Sequence, residues 1–176
     1  LKTSIYLIVF TLNSTVISLN AKFINEENPS ATSYLGAIIR ADSTENKLAL
    51  VFTGDQYADG AETILDVLSK YNINASFFLT GNFYSNKKFQ DIITRMINNS
   101  HYLGAHSDKH LLYCDWNNRE KLLISKCEFF KDLIKNYKKM KTFGIEKKNA
   151  PYFLPPYEWY NENVSSWTRE FDLNLI

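Results

Sequence analysis

Apolar positions along this chain fall into two alternating patterns, short unbroken runs and longer stripes spaced three and four residues apart. Leu48-Ala49-Leu50-Val51-Phe52 is an unbroken run that predicts a strand buried on both faces, and it stops at Thr53-Gly54-Asp55. Residues 61–70 then put Ile64, Leu65, Val67 and Leu68 on one helical stripe. A second buried strand is predicted at Ala75-Ser76-Phe77-Phe78-Leu79, closed by Thr80-Gly81-Asn82, and a helix follows through Phe89, Ile92, Ile93, Met96 and Ile97. The pattern continues with a short strand at 101–105 and a long amphipathic helix over about 119–141 that carries Leu122, Leu123, Phe129, Phe130, Leu133, Ile134 and Tyr137. A strand at Tyr152-Phe153-Leu154 is stopped by Pro155-Pro156, and a helix at 161–170 precedes a last strand starting at Leu173. Strand and helix alternate with no hairpin signal, which predicts a parallel α/β sheet or barrel rather than an antiparallel sandwich. In such folds chemistry collects at the carboxyl ends of the strands, where Asp55, His106, His110 and residues 155–159 all fall.

The residues ahead of this alternation read differently. Lys2, the apolar run Ile5-Tyr6-Leu7-Ile8-Val9-Phe10 and small residues near Ser18 and Ala21 predict an export signal over residues 1–21, too short for a comfortable membrane span. Residues 22–46 are polar and turn-rich, a lead-in with one short apolar segment at 34–39. Export implies a secreted or otherwise extracytoplasmic protein with no stable membrane span after cleavage.

With 45% hydrophobic and 22% charged residues, the 176-residue chain is composed like one globular domain able to bury a core. A net charge of +1 from 20 basic and 19 acidic side chains gives no electrostatic reason to expect nucleic acid as a partner. The 11 tyrosines and 3 tryptophans suit either sugar binding or core packing. Cys114 and Cys127 are read as thiols, because a lone pair of cysteines carries no pairing information.

Two of the three histidines stand in His106-Ser107-Asp108-Lys109-His110. On a helix, that four-residue spacing turns both imidazoles toward one point. Two imidazoles lack only one carboxylate to make an open catalytic zinc-type site.

The ordered segments resemble the polysaccharide deacetylase family, also called the NodB-homology domain or carbohydrate esterase family 4. Residues 48–55 are similar to its apolar strand ending in Thr-Phe-Asp-Asp, and Ala75-Ser76-Phe77-Phe78-Leu79-Thr80-Gly81 to its Ala-Thr-Phe-Phe-x-x-Gly strand. His106 to His110 resembles its metal motif, and Tyr152-Phe153-Leu154-Pro155-Pro156-Tyr157 resembles its Phe-Arg-Pro-Pro-Tyr segment. The likeness covers about residues 35–176. It implies a distorted (β/α) barrel over residues 47–176, incomplete at its C-terminal end, and a divalent metal, usually zinc, held by Asp55, His106 and His110. The implied reaction is hydrolysis of acetyl groups on a carbohydrate polymer, one containing N-acetylglucosamine, at carbon–nitrogen bonds other than peptide bonds. Its nucleophile would be a water activated by the metal.

Departures from the family pattern concern proton carriers. The family's first aspartate serves as base and its second as ligand, whereas here Thr53 and Gly54 precede a single Asp55. Asp59 is the nearest replacement, or else a helix N-cap, and Glu158 is a second candidate proton carrier at the rim or else an exposed loop residue. Leu154 replaces the motif arginine, for which Arg40 is a substitute by analogy only. Tyr157 and Trp159 are candidate sugar-binding rings, His101 reads as structural, and Asp108 and Lys109 as outward-facing or bracing the loop. The family continues into a tryptophan-bearing wall and a late histidine, so the expectation is a shortened open barrel or a fragment of a longer product. The alternative to an enzyme is a catalytically degenerate glycan-binding domain that keeps its metal site.

Overall fold

Where apolar runs are short, as in this chain, the strands are short too, and a continuous core depends on stacking several of them side by side. The computed structural model describes residues 31–44 and 46–176, so the export signal expected at 1–21 lies outside the described residues. Twelve regular elements follow in order: β1 Thr32–Tyr34, β2 Ala37–Arg40, β3 Val51–Gly54, α1 Ala61–Lys70, β4 Ser76–Leu79, α2 Gly81–Ser85, α3 Gln90–Asn98, β5 Tyr102–Ala105, α4 Lys126–Lys141, β6 Tyr152–Phe153, α5 Glu162–Glu170 and β7 Asn174–Leu175. The last five strands form one parallel sheet in the order β3-β4-β5-β6-β7. Spatial order equals chain order, so every crossover steps the same way, and right-handed crossovers then put their helices on one face and curl the sheet toward a barrel. Among the described residues the barrel is a partial wall whose edges are β3 and β7.

The core lies between this wall and its helices. Phe77, Leu79, Leu103 and Phe153 from the sheet meet Leu65, Ile93, Met96, Phe129, Leu133 and Met140 from α1, α3 and α4, all buried. Each such side chain taken out of water contributes about 1.5–3 kcal/mol before entropy is charged against it. Phe129 is central, with ring centroids of Tyr113, Phe153 and Trp167 at 5.2, 6.0 and 5.7 Å.

Four expectations change. The run at 48–52 is not a strand buried on both faces: β3 starts at Val51, which is 45% exposed, because β3 is a sheet edge, and Leu48 lies outside it in solvent. A hairpin does exist, since β1 and β2 pair antiparallel within the lead-in. Leu35 and Gly36 make its turn with φ of 46° and 79°, and a Cβ on Gly36 would stand 2.3 Å from Ser165 Oγ, so glycine is required there twice over. The hairpin packs on β7 through β2, with Tyr160 donating its hydroxyl to the Tyr34 carbonyl at 3.0 Å. The long helix begins at Lys126 rather than near 119, because Ser125 and Glu128 close a capping box there and residues 111–125 form a loop. Finally, residues 106–110 are not helical. Cys114 is buried and Cys127 exposed, and both are free thiols. No helix among the described residues is long and apolar enough to cross a membrane.

Candidate functional site

Asp55 follows β3 and His106 follows β5, so the parallel sheet delivers both groups to its carboxyl edge. An open cavity of about 320 Å³ lies there, lined by Thr53, Gly54, Asp55, Gln56, Tyr57, His106 and His110, at the small end of ligand pockets. All three expected metal ligands therefore face one space.

The carboxylate of Asp55 is held on one side only. Its Oδ1 accepts from Thr80 Oγ1 at 2.8 Å and from Asn82 Nδ2 at 3.0 Å, leaving Oδ2 for a ligand. The Thr80 side chain also caps α2 by accepting from the Phe83 N–H at 3.2 Å, so the helix start and the aspartate clamp are one device. His106 is 2% exposed, with Nδ1 2.8 Å from the Leu154 carbonyl. A carbonyl can only accept, so the proton sits on Nδ1 and the lone pair on Nε2. Burial pushes the His106 pKa down to about 4, with His110 adding to the fall and the Leu154 carbonyl and Asp55 opposing it. The position of the family's arginine thus still serves the site, through Leu154's backbone.

The two imidazoles meet through a tight loop rather than a helical turn. Their centroids are 5.0 Å apart at 61°, and Ser107 and His110 have φ of 72° and 55°, which no helix permits. A face of α4 holds this loop. Asp132 Oδ2 accepts from the Asp108 N–H at 3.0 Å and from the Tyr113 hydroxyl at 3.1 Å, while Oδ1 accepts from the Lys109 N–H at 3.2 Å. Asn136 accepts the His106 N–H at 3.2 Å and donates to the Leu79 carbonyl at 3.3 Å. Lys139 pairs with the buried Asp108 at 2.6 Å. These residues stand at i, i+4 and i+7 on one helical stripe. Burial raises the Asp132 pKa despite its four lowering hydrogen bonds, the first of them to Ser107. Gly81 makes room for Asp108, since a Cβ there would stand 1.8 Å from Asp108 Oδ1. Sequence reading missed all three α4 residues, although polar residues on the same helical stripe as Phe129 and Leu133 are a usable signal of a buried polar grip.

The other candidates are dispersed. Asp59 is exposed and does not line the cavity; nor is it the cap of α1, whose N-cap is Gly60 with no side-chain bond. Glu158 is exposed and left-handed at φ 51°, directly after Tyr157 at φ 62°. The Tyr157 ring stands 4.5 Å from His110. Trp159 is half-buried, its indole N–H donating to the Asp115 carbonyl at 3.2 Å and its ring covered by Arg119 at 3.7 Å. Arg40 is exposed on the hairpin that packs at the β7 edge, the opposite edge from Asp55. His101 is structural, its Nδ1 accepting from the Ala75 N–H at 3.2 Å; Asp108 is buried and braces the loop, while Lys109 is exposed and reaches Asn82 Oδ1 from the surface.

As placed, no three His, Cys, Asp or Glu side chains among the described residues stand close enough together to hold a metal ion. The donor chemistry nevertheless suits a divalent cation: an open carboxylate oxygen, a neutral imidazole turned by a carbonyl, and a second imidazole beside it. Ligation requires these side chains to draw together across the cavity.

The chain is thus a partial (β/α) barrel domain that presents one carboxylate and two imidazoles at its carboxyl edge. The family model described as polysaccharide deacetylase matches residues 40–176, and the chain belongs to that family. It is 26% identical over 141 residues to an uncharacterized 30.6 kDa protein of Geobacillus stearothermophilus, covering 80% of this chain and 49% of that one. A peptidoglycan-N-acetylglucosamine deacetylase of Bacillus cereus is 29% identical over 132 residues, with 74% and 43% covered. Among solved structures, a mutant of a carbohydrate esterase family 4 pseudoenzyme of Bacillus anthracis with restored activity matches with a TM-score of 0.60 at 20% identity, over 74% of this chain and 44% of that one. The chain spans about half the length of the curated relatives it matches.

Proposed function

We propose that this chain belongs to an exported, metal-dependent hydrolase that removes acetyl groups from a polysaccharide containing N-acetylglucosamine, acting on a carbon–nitrogen bond that is not a peptide bond. The observation carrying this reading is that Asp55, His106 and His110 line one cavity, with Asp55 held from behind by Thr80 and Asn82 and His106 by the Leu154 carbonyl. The peptidoglycan deacetylase among the relatives supports the substrate class and an extracytoplasmic setting.

Asp55 Oδ2, His106 Nε2 and the His110 ring would hold the cation, and two imidazoles with a carboxylate favour zinc. When bound, such an ion supplies Lewis acidity toward the acetyl carbonyl and a water acidic enough to attack near neutral pH. The protein's own part is to keep His106 neutral through burial, to aim it through Leu154, and to present Tyr157 beside His110 as an aromatic rim for the sugar, with Trp159, covered by Arg119, set behind that rim. Hydrolysis of the acetamide needs one proton taken from water and one given to the leaving amine; the carboxylates we assign to these transfers, Asp59 and Glu158, stand exposed outside the cavity lining and would serve only on swinging toward it.

A second reading, a glycan-binding domain with a metal site and no turnover, is favoured by Thr53 and Gly54 in the cavity wall and by the exposure of both carboxylates. Acetate release from acetylated chito-oligosaccharides with zinc supplied separates the two. Release that falls about a thousandfold in His106→Ala, together with loss of bound zinc, and about a hundredfold in Asp59→Asn or Glu158→Gln, supports the enzyme. Bound zinc with no release supports the binder, and a chain that never binds metal overturns both.

A further inference from the structure

Trp116 is 53% exposed, in contrast to the half-buried Trp159 and Trp167. Leaving so large a ring in water forgoes about 2 kcal/mol of burial, so its location matters. It is not on a loose segment. Asp115 Oδ1 accepts from the N–H groups of Asn117 and Asn118 at 2.9 and 3.1 Å, and the Asp115 N–H donates to the Lys121 carbonyl at 2.9 Å. Cys114 bridges to Leu122, and the Trp159 indole holds the Asp115 carbonyl. The backbone around Trp116 is therefore pinned from both sides.

The ring is pinned as well. It meets Trp159 at 5.5 Å and 34°, and Trp159 in turn carries the Arg119 guanidinium at 3.7 Å. It meets the Tyr157 ring edge-on at 5.3 Å, and Tyr157 meets His110 at 4.5 Å. Trp116 thus stands two ring contacts from His110, outside the cavity that His110 lines, with over half of its surface open. A pyranose carries axial C–H groups on one face, which pack on a flat indole, and the distance suits a sugar adjoining the one in the cavity.

We infer that Trp116 is the floor of a second sugar subsite, stacking the pyranose next to the residue held at the Asp55–His106–His110 cavity, with Trp159 and Arg119 as its rigid support. This deepens the proposed function and rests on its reading of the cavity as a glycan site. The subsite predicts a dependence on chain length: a single N-acetylglucosamine does not reach Trp116, whereas a tetrasaccharide does.

The test measures binding of N-acetylglucosamine and of its tetrasaccharide by calorimetry, on the zinc-supplemented full chain and on Trp116→Ala and Trp116→Tyr, each checked for native circular dichroism. The expected result is a roughly tenfold weaker tetrasaccharide in Trp116→Ala, recovery of most of that loss in Trp116→Tyr, and no change for the monosaccharide. Equal tetrasaccharide affinity in wild type and Trp116→Ala overturns the subsite, as does a wild type that binds no tetrasaccharide. Trp116-dependent binding without acetate release keeps the subsite and overturns the catalytic reading instead.

Discussion

The loop carrying the two histidines and the loop carrying the aspartate meet at one cavity but are held there in different ways. The histidine loop is gripped from behind by α4, where Asp132, Asn136 and Lys139 engage the backbone of His106, Asp108 and Lys109 and the Asp108 carboxylate. The aspartate loop leaves an exposed sheet edge, is anchored through one oxygen of Asp55, and passes into the exposed Gln56, Tyr57 and Asp59. Imidazoles must be aimed, because each has a single lone pair to offer, whereas a carboxylate has two oxygens and tolerates a looser mount. The molecule puts its buried polar groups where direction matters most.

The largest expected effect tests that grip. Asp132→Ala leaves the Asp108 N–H and the Tyr113 hydroxyl without their acceptor inside the protein and the Lys109 N–H with Ser107 Oγ alone, at 3.3 Å, which costs about 4 kcal/mol. Ile134→Ala, on the exposed side of the same helix, changes stability by less than about 0.5 kcal/mol. Urea denaturation of the two variants reads the contrast directly. Equal midpoints would mean that α4 supports the loop by packing alone.

These two halves were unequally legible in the sequence, for the same reason that they are unequally built. The limits of α1 follow from its stripe of Ile64, Leu65 and Leu68, and β4 from its unbroken apolar run, because burial of one continuous face writes itself into local spacing. The convergence of Asp55 with His106 and His110 was also readable, since a parallel sheet sends every strand end to one edge. What holds the histidine loop was not. Asp132 and Asn136 act on residues 23 to 30 positions away, and their effect lies in hydrogen bonds that leave no periodic trace. The helical reading of residues 106–110 failed likewise, because spacing alone does not distinguish a helix turn from a loop with two left-handed residues. The late start of α4 had a visible signal in Ser125 and Glu128, which the apolar Leu122 and Leu123 overrode.

Acidification gives the next effect. With a pKa of about 4 in the fold against about 6.5 unfolded, His106 binds its proton in the unfolded chain first, so it makes the metal-free protein less stable as pH falls from 6.5 to 4. The loss attributable to His106 is about 3 kcal/mol across that window. His101, also lowered by burial, acts in the same direction, and Asp132, raised by burial, acts in the opposite one. The difference between wild type and His106→Gln therefore isolates the histidine. Chemical denaturation at pH 7 and pH 4.5 checks it, and a pH-independent difference would show that burial does not hold His106 neutral.

The smallest effect concerns Asn82, whose side chain ties the two halves together. Asn82 donates to Asp55 Oδ1 at 3.0 Å and accepts from Lys109 Nζ at 2.9 Å, so it spans from the aspartate loop to the histidine loop. Asn82→Ala removes one partly buried bond and one exposed bond, which costs about 1 kcal/mol of stability, while Thr80 keeps its hold on Asp55. Losing an outer support of a ligand weakens metal affinity by about tenfold, so zinc binding should register the change more clearly than unfolding does. A double-mutant cycle with Lys109→Ala then separates two mechanisms. If Asn82 acts by joining the loops, the two substitutions weaken zinc binding less than additively, because either one cuts the same link. If it acts on Asp55 alone, Lys109→Ala is silent and the effects add, and the aspartate loop is then mounted independently of the histidines it serves.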